Sequence, residues 1–412
     1  MLTSIQALAG SEFKVLHSFG AEGDGTLPSG TLVMDAWGDL YGLTSTGGAG
    51  VCGDYGCGTA YELIPGPTGW NEVILHNFDF NAEGSLPVGP PGLDAVHNLY
   101  GVAAAGGPGG VGSAFELSQA GNEWACTVIY DSGTKVGLIS GMAASLYGFL
   151  GLGQYQAGAI GELWPSAGSW NYAPLYSFGG NEGKDGFEPE APLSWDAKGN
   201  LYGTTYFGGG VGLPNCTQGL GCGVAFQLVY NPLAPSAQGL WSYHVIHRFA
   251  SSATDGKNPN GSLVLDAQGN AYGTTPVGGA ACPPVGCGTV YKLTPVGADG
   301  EPWAETILYD FPAVPACSQG CSPAYNMVFD KAGNLYGVAG GGNNYCAGTC
   351  GVVFKLAPQA NGQWIYSVVH EFTGPSDGAN PLGLAIDANG NLFGTTQTGG
   401  TYNLGVAFEI SQ

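Results

Sequence analysis

The residues most able to do chemistry are acids gathered on loops. Glu182, Asp185, Glu188 and Glu190 crowd into nine positions. Paired carboxylates can cleave a glycosidic bond as acid and base, which makes Asp185, Glu188 and Glu190 the catalytic candidates. Asp24, Asp185, Asp255 and Asp377 each stand before a glycine. Convergent oxygens of this kind could hold a structural Ca2+, so Asp24, Asp255 and Asp377 are the metal candidates. An Asp-Gly pair also closes a type I turn with no ligand, and that plainer reading is preferred. Arg248 is the only arginine. It could grip a carboxylated ligand such as a uronate through two hydrogen bonds, or serve a structural ion pair with a neighbouring acid. Tyr55, Tyr155, Phe207, Tyr345 and Tyr402 sit in Gly-rich loops beside these acids. Together with Arg248 they are the ligand-binding candidates, suited to a sugar surface or, equally, to covering cysteines. No Ser-His-Asp order, phosphate loop or HExxH motif is present. No cofactor beyond that calcium is expected.

Internal comparison separates structural from functional residues. His17, His76, His247 and His370 fall six positions after the head of a strand-like segment, and Tyr130, Tyr176 and Tyr309 take the same place elsewhere. His and Tyr share an aromatic body with a polar tip, so this interchange predicts a repeated packing contact. Trp70, Trp124, Trp170, Trp241, Trp303 and Trp364 head those segments. They read as packing residues rather than sugar platforms.

Ten of 11 cysteines form close pairs: Cys52/Cys57, Cys216/Cys222, Cys282/Cys287, Cys317/Cys321 and Cys346/Cys350. Short disulfide loops persist only in oxidising surroundings. Local pairing is the expectation. Cys317–Cys346 with Cys321–Cys350 is an open alternative, and zinc binding by those four a weaker one. Cys126 is left over, in a strand register, and reads as a buried thiol. With 31 acids against 9 bases the net charge is −22. Such a chain has no basic patch for nucleic acid and repels anionic surfaces. No segment has the length of a membrane-spanning helix. Residues 1–10 read as an N-terminal tail or signal remnant.

These loops need a scaffold, and the chain repeats its own. LVMDAWGDLYGLT (33–45), LSWDAKGNLYGTT (193–205), LVLDAQGNAYGTT (263–275), MVFDKAGNLYGVA (327–339) and LAIDANGNLFGTT (384–396) are copies, with weaker ones at 92–103 and 140–150. Each unit carries four strand-like pieces, and the fourth is predicted to alternate cleanly with period two. One such sheet cannot bury both its faces, whereas packing copies radially does so and leaves no long free edge. The chain opens on a fourth strand, FKVLHSF (13–19), and stops after a third, GVAFEIS (405–411). The expected fold is therefore all-β: one seven-bladed β-propeller over residues 11–412, its last blade completed by the N-terminal strand.

DAxGNLYGTT followed by GG and then GTVFKL resembles the bacterial GloVer-type (Gloeo/Verruco) tandem repeat of secreted and surface-anchored proteins. The resemblance covers about residues 11–412 and implies a propeller-like ring outside the cell. It carries no catalytic motif. Unit three departs most, reading MAASLYGFLG (142–151) without the turn aspartate. The expected function is a monomeric, secreted binding module whose partner is a glycan or an extracellular protein, docked on the face carrying the cysteine loops. The alternatives are a carbohydrate-active hydrolase or lyase and a structural surface protein.

Overall fold

The repeated aspartate builds the innermost hairpin of six blades, blade 3 being the one without it. Asp266 Oδ1 accepts from the amides of Gln268 and Asn270, and Oδ2 from Asn270 Nδ2 and the Tyr272 hydroxyl, at 2.7–3.0 Å. Asp94, Asp196 and Asp330 make the same four contacts. The turn is thus closed by one side chain that satisfies its exposed donors. The Tyr-Gly step that follows has a steric cause. A Cβ on Gly101 would lie 2.4 Å from the Phe115 ring. Only glycine lets the aromatic of the next strand lie across it.

The computed structural model describes residues 11–121, 123–131, 137–141, 144–151, 153–180, 183–210, 216, 220–234, 240–282, 286–297, 303–312, 319–341 and 350–412. Blade 1 runs Val33–Met34, Leu40–Gly47, Thr59–Gly66, Gly69–Asn77, and blade 2 runs Ser85–Leu93, Leu99–Ala105, Ser113–Ala120, Glu123–Tyr130. Blade 3 holds Ile139–Ser140, Leu146–Phe149, Ala159–Ser166 and Ser169–Ser177. Blade 4 holds Ser194–Trp195, Leu201–Thr205, Val224–Tyr230 and Trp241–Arg248. Val264–Leu265, Ala271–Thr275, Thr289–Thr294 and Ala304–Asp310 make blade 5. Cys321–Phe329, Leu335–Gly340, Val352–Pro358 and Trp364–Glu371 make blade 6. Blade 7 takes Ala379–Ile386, Leu392–Thr398 and Val406–Ser411, and its outer strand is Glu12–Ser18 from the start of the chain.

The predicted seam is present. Glu12–Ser18 pairs antiparallel with Val406–Ser411, from Glu12 opposite Ser411 to Ser18 opposite Val406. Every blade is an antiparallel meander ordered inner to outer. The core lies between blades rather than at one centre. In one such layer Tyr336, Val353 and Phe372 of blade 6 pack on Leu384, Phe408 and the seam residue Phe13 of blade 7.

Loops after the second and after the fourth strand share one face, as expected. Gly256–Lys257 pairs with Val277–Gly278, and Gly25–Pro28 pairs with Leu40–Gly47. The first ribbon ties an after-four loop to an after-two loop, and the second ties an after-four loop to the end of a second strand. That face carries the disulfides Cys52–Cys57, Cys216–Cys222 and Cys282–Cys287. Cys321 and Cys350 are also disulfide-bonded, while Cys317 and Cys346 lie outside the described residues. No helix among the described residues is long and apolar enough to cross a membrane.

Candidate functional site

The outer strands depart from the clean alternation the sequence predicts. Each slips by one residue against its neighbour, at Leu16, Leu75, Ile129, Leu175, Ile246, Leu308 or Val369. A β-bulge turns the following side chain to the other face of the sheet. The first half of each outer strand therefore faces the preceding blade and its end faces the next. Trp70, Trp170, Trp241, Trp303 and Trp364 head these strands and pack on Phe393, Tyr100, Tyr147, Tyr202 and Tyr272 of the blade before, with ring centroids 5.8–6.1 Å apart. The packing expected of the tryptophans is what they do.

The residue after each bulge is the recurring His or Tyr. It meets the residue two positions beyond the head of the next blade's outer strand. At four interfaces the pair is two rings: Tyr176 on Tyr243, Tyr309 on Tyr366 and His370 on Phe13 stack with centroids 3.9–4.0 Å apart, and Tyr130 lies tilted against Tyr172 at 4.6 Å. At the other three the partner is not aromatic. Between blades 7 and 1, His17 Nε2 lies 2.9 Å from Asp24 Oδ2 and 3.4 Å from Glu72 Oε2. Between blades 4 and 5, His247 Nε2 lies 3.3 Å from Asp255 Oδ2 and 3.6 Å from Glu305 Oε1. Between blades 1 and 2, His76 Nε2 stands 3.7 Å from Glu83 Oε2, with the free thiol of Cys126 as third member. In each of these three clusters the donor atoms lie within 4.8 Å of one another.

Burial sets the electrostatics. Desolvation, then the neighbouring Asp24, pushes Glu72 up to about 9. Desolvation and Asp255 push Glu305 up to about 8. Burial also acts to raise Asp24 and Asp255, but hydrogen bonds and the charge of His17 and His247 prevail and hold both below the ordinary value. Burial raises the Cys126 thiol, so it is no reactive thiolate. Tyr61 and Tyr291 are fully buried, and neither hydroxyl has a hydrogen-bond partner. Burial and the carboxylates of Glu72 and Asp24, or of Glu305 and Asp255, raise these phenols. The equivalent place in blades 2, 4, 6 and 7 holds Phe115, Phe226, Phe354 and Phe408. Tyrosine thus replaces phenylalanine in the two blades that contribute Glu72 and Glu305.

The axis of the ring is a cavity of 610 Å3 lined by blades 1, 2, 4, 5, 6 and 7. Its polar groups include Ser29, Thr31, Ser194, Asn260, Ser262 and Asn326, and Glu190 is its only charged residue among the described ones. Asn260 Oδ1 is buried there without a hydrogen bond.

The predicted site residues do not converge on one point. Asp185 is buried, accepting from the Tyr176 hydroxyl at 2.7 Å and the Gly179 amide at 3.3 Å. Glu188 is exposed on a left-handed backbone, φ 54°. Arg248 donates to the Lys184 carbonyl at 3.4 Å and makes no salt bridge among the described residues. Asp24, Asp255 and Asp377 point inward at His17, His247 and His370. Tyr55, Tyr155 and Tyr402 stand 79%, 50% and 50% exposed. Phe207 stacks on Phe187 at 5.4 Å, and Tyr345 lies outside the described residues. The carboxylates Glu72 and Glu305 escaped sequence reasoning. Their signal was in the repeat: the second position after each strand head varies in step with the His or Tyr of the unit before.

These features define a seven-bladed β-propeller of tandem blades closed through its first strand. Residues 98–296 and 221–408 match the Gloeobacter/Verrucomicrobia repeat, and the chain belongs to that family. No curated protein matches it. Among solved structures it resembles PorZ, a bacterial surface component of the type-IX secretion system of Porphyromonas gingivalis, at 12% identity and TM-score 0.56 over 95% of this chain and 47% of that one. It also resembles a protein of unknown function from Dyadobacter fermentans, at 10% identity and TM-score 0.48 over 98% and 100% of the two chains. A carbohydrate-active enzyme of family AA12 from Trichoderma reesei aligns at 13% identity and TM-score 0.46 over 99% and 97%. At these identities the likeness is one of fold.

Proposed function

We propose that the protein is a secreted, monomeric binding module that takes a glycan on its disulfide-bearing face. The observation that carries this reading is the exposure of Tyr55, Tyr155 and Tyr402 on loops of that face. An exposed phenol ring offers a flat apolar surface with a polar edge, and that matches the two-sided character of a sugar. The Cys52–Cys57 disulfide closes the loop that carries Tyr55, and the disulfides of this face accord with an oxidising compartment. Of the three carboxylates that could serve hydrolysis, Asp185 is bound to Tyr176 and Gly179, Glu190 lines the axial cavity and Glu188 is exposed.

A glycan array followed by calorimetry on the best ligand tests the reading. Tyr55→Ala, Tyr155→Ala and Tyr402→Ala are expected to weaken binding about five- to tenfold wherever a sugar stacks, since one such contact contributes about 1 kcal/mol. Binding unchanged in all three variants, or no glycan bound, rejects it. Release of shortened or unsaturated sugars, lost in Glu190→Gln, would favour the hydrolase or lyase instead.

A further inference from the structure

We propose that two interfaces of the ring are divalent transition-metal sites of the zinc class: His17, Asp24 and Glu72 between blades 7 and 1, and His247, Asp255 and Glu305 between blades 4 and 5. Each offers one imidazole nitrogen and two carboxylates from three separate segments, with the donor atoms within 4.8 Å of one another. Zinc binds such ligands at about 2.0–2.1 Å, which sets the edge of its coordination tetrahedron near 3.3 Å. The imidazole-to-carboxylate separations are 2.9 and 3.4 Å in one cluster and 3.3 and 3.6 Å in the other. Calcium is a poorer match, because it takes six or more oxygens.

The second cluster is built like a ligand site awaiting its centre. The His247 side chain is 9% exposed and Asp255 is 0% exposed. His247 Nε2 faces both carboxylates at 3.3 and 3.6 Å without a well-aligned hydrogen bond to either, and Asp255 Oδ1 and Glu305 Oε1 accept no hydrogen bond. Three buried polar atoms left so at one point are costly, and a cation among them removes that cost. The pattern across the ring agrees. An acid occupies the second position of the outer strand only opposite a His that already has its loop Asp. His370 and Asp377 form the same pair, but there Phe13 takes the acid's place and closes the gap by stacking. The fourth coordination position is left to water. A net charge of −22 favours delivery of the ion.

The test uses the whole chain carrying Cys126→Ala, so that the thiol between blades 1 and 2 cannot contribute. After chelation and dialysis, Zn2+ is titrated by calorimetry and counted by elemental analysis, with Co2+ as the spectroscopic probe. Two equivalents and the intense visible bands of tetrahedral Co2+ are expected. His247→Tyr with Glu305→Tyr copies the Tyr176–Tyr243 stack and should remove one equivalent while keeping the fold. Tyr176→His with Tyr243→Glu, placed beside the existing Asp185, should add one. A chain that binds less than one equivalent, or whose stoichiometry ignores both exchanges, overturns the proposal. If the first exchange fails to fold, the wild-type Co2+ spectrum and the second exchange decide alone.

Discussion

Replacing Asp377 by Asn removes one charge and almost no volume, so its effect isolates what the carboxylate does. Oδ1 accepts from the Thr373 amide at 2.8 Å, the Thr373 hydroxyl at 2.6 Å and the Gly374 amide at 3.1 Å, and Oδ2 meets His370 Nε2 at 3.1 Å. The residue is only 8% exposed. Hydrogen bonds to a charged group contribute about 1.5–3 kcal/mol each, but an asparagine keeps part of the set. A net loss of about 3 kcal/mol is expected on that basis. Unfolding entropy of about 2 cal/mol/K per residue over 412 residues converts this to a fall in Tm of about 3–4 °C. The pH dependence has a definite sign. Burial acts to raise Asp377, and its contacts with His370 and Thr373 overcome this and hold it below the ordinary value. Its stabilisation is therefore complete above the ordinary carboxylate range and lost as pH falls through the lower folded value. Calorimetric scans of both chains from pH 7 to pH 2.5 should show a constant gap down to about pH 4 that then closes. A gap under about 1 kcal/mol at pH 7, or one that persists in acid, would refute the account.

Two further outcomes follow from the seam and the staples. Phe19→Ala empties a fully buried ring held against Tyr61 and His17, and should cost about 3–5 kcal/mol in chemical unfolding; a loss below 1 kcal/mol would mean that the seam does not carry the load assigned to it. Cys52→Ser with Cys57→Ser opens a short covalent loop whose closure contributes about 2 kcal/mol, and limited proteolysis should then cut near Tyr55 while the remaining blades stay intact.

The scaffold was legible because its determinants are local and repeated. Asp266, Gly269 and Tyr272 announce a turn and the strand after it, and five clear copies fix the period. The seam was legible from phase alone, since Phe13 begins a fourth strand and Val406 begins a third. The interfaces were not. A bulge such as that at Ile246 leaves no mark in a pattern of alternating residues, so the face reached by His247 could not be assigned. Recurrence of His and Tyr was read as packing, which holds for His370 on Phe13 but omits the carboxylates at His17 and His247. Those depend on Glu72 and Glu305, which lie some 55 residues away and come near only when one blade packs on the next.

The slip in every outer strand gives each blade a front and a back with separate identities. Blade 4 presents Tyr243 backward and His247 forward, and blade 5 presents Glu305 backward and Tyr309 forward. A transplanted blade is matched only where both of its edges find the partner they present, as a domino must match at both ends: a Tyr–Tyr pair at three junctions, a His–Asp–Glu set at two. The covalent chain sets the order of the modules, and this handful of side chains restricts which of them could be exchanged without leaving a mismatched junction.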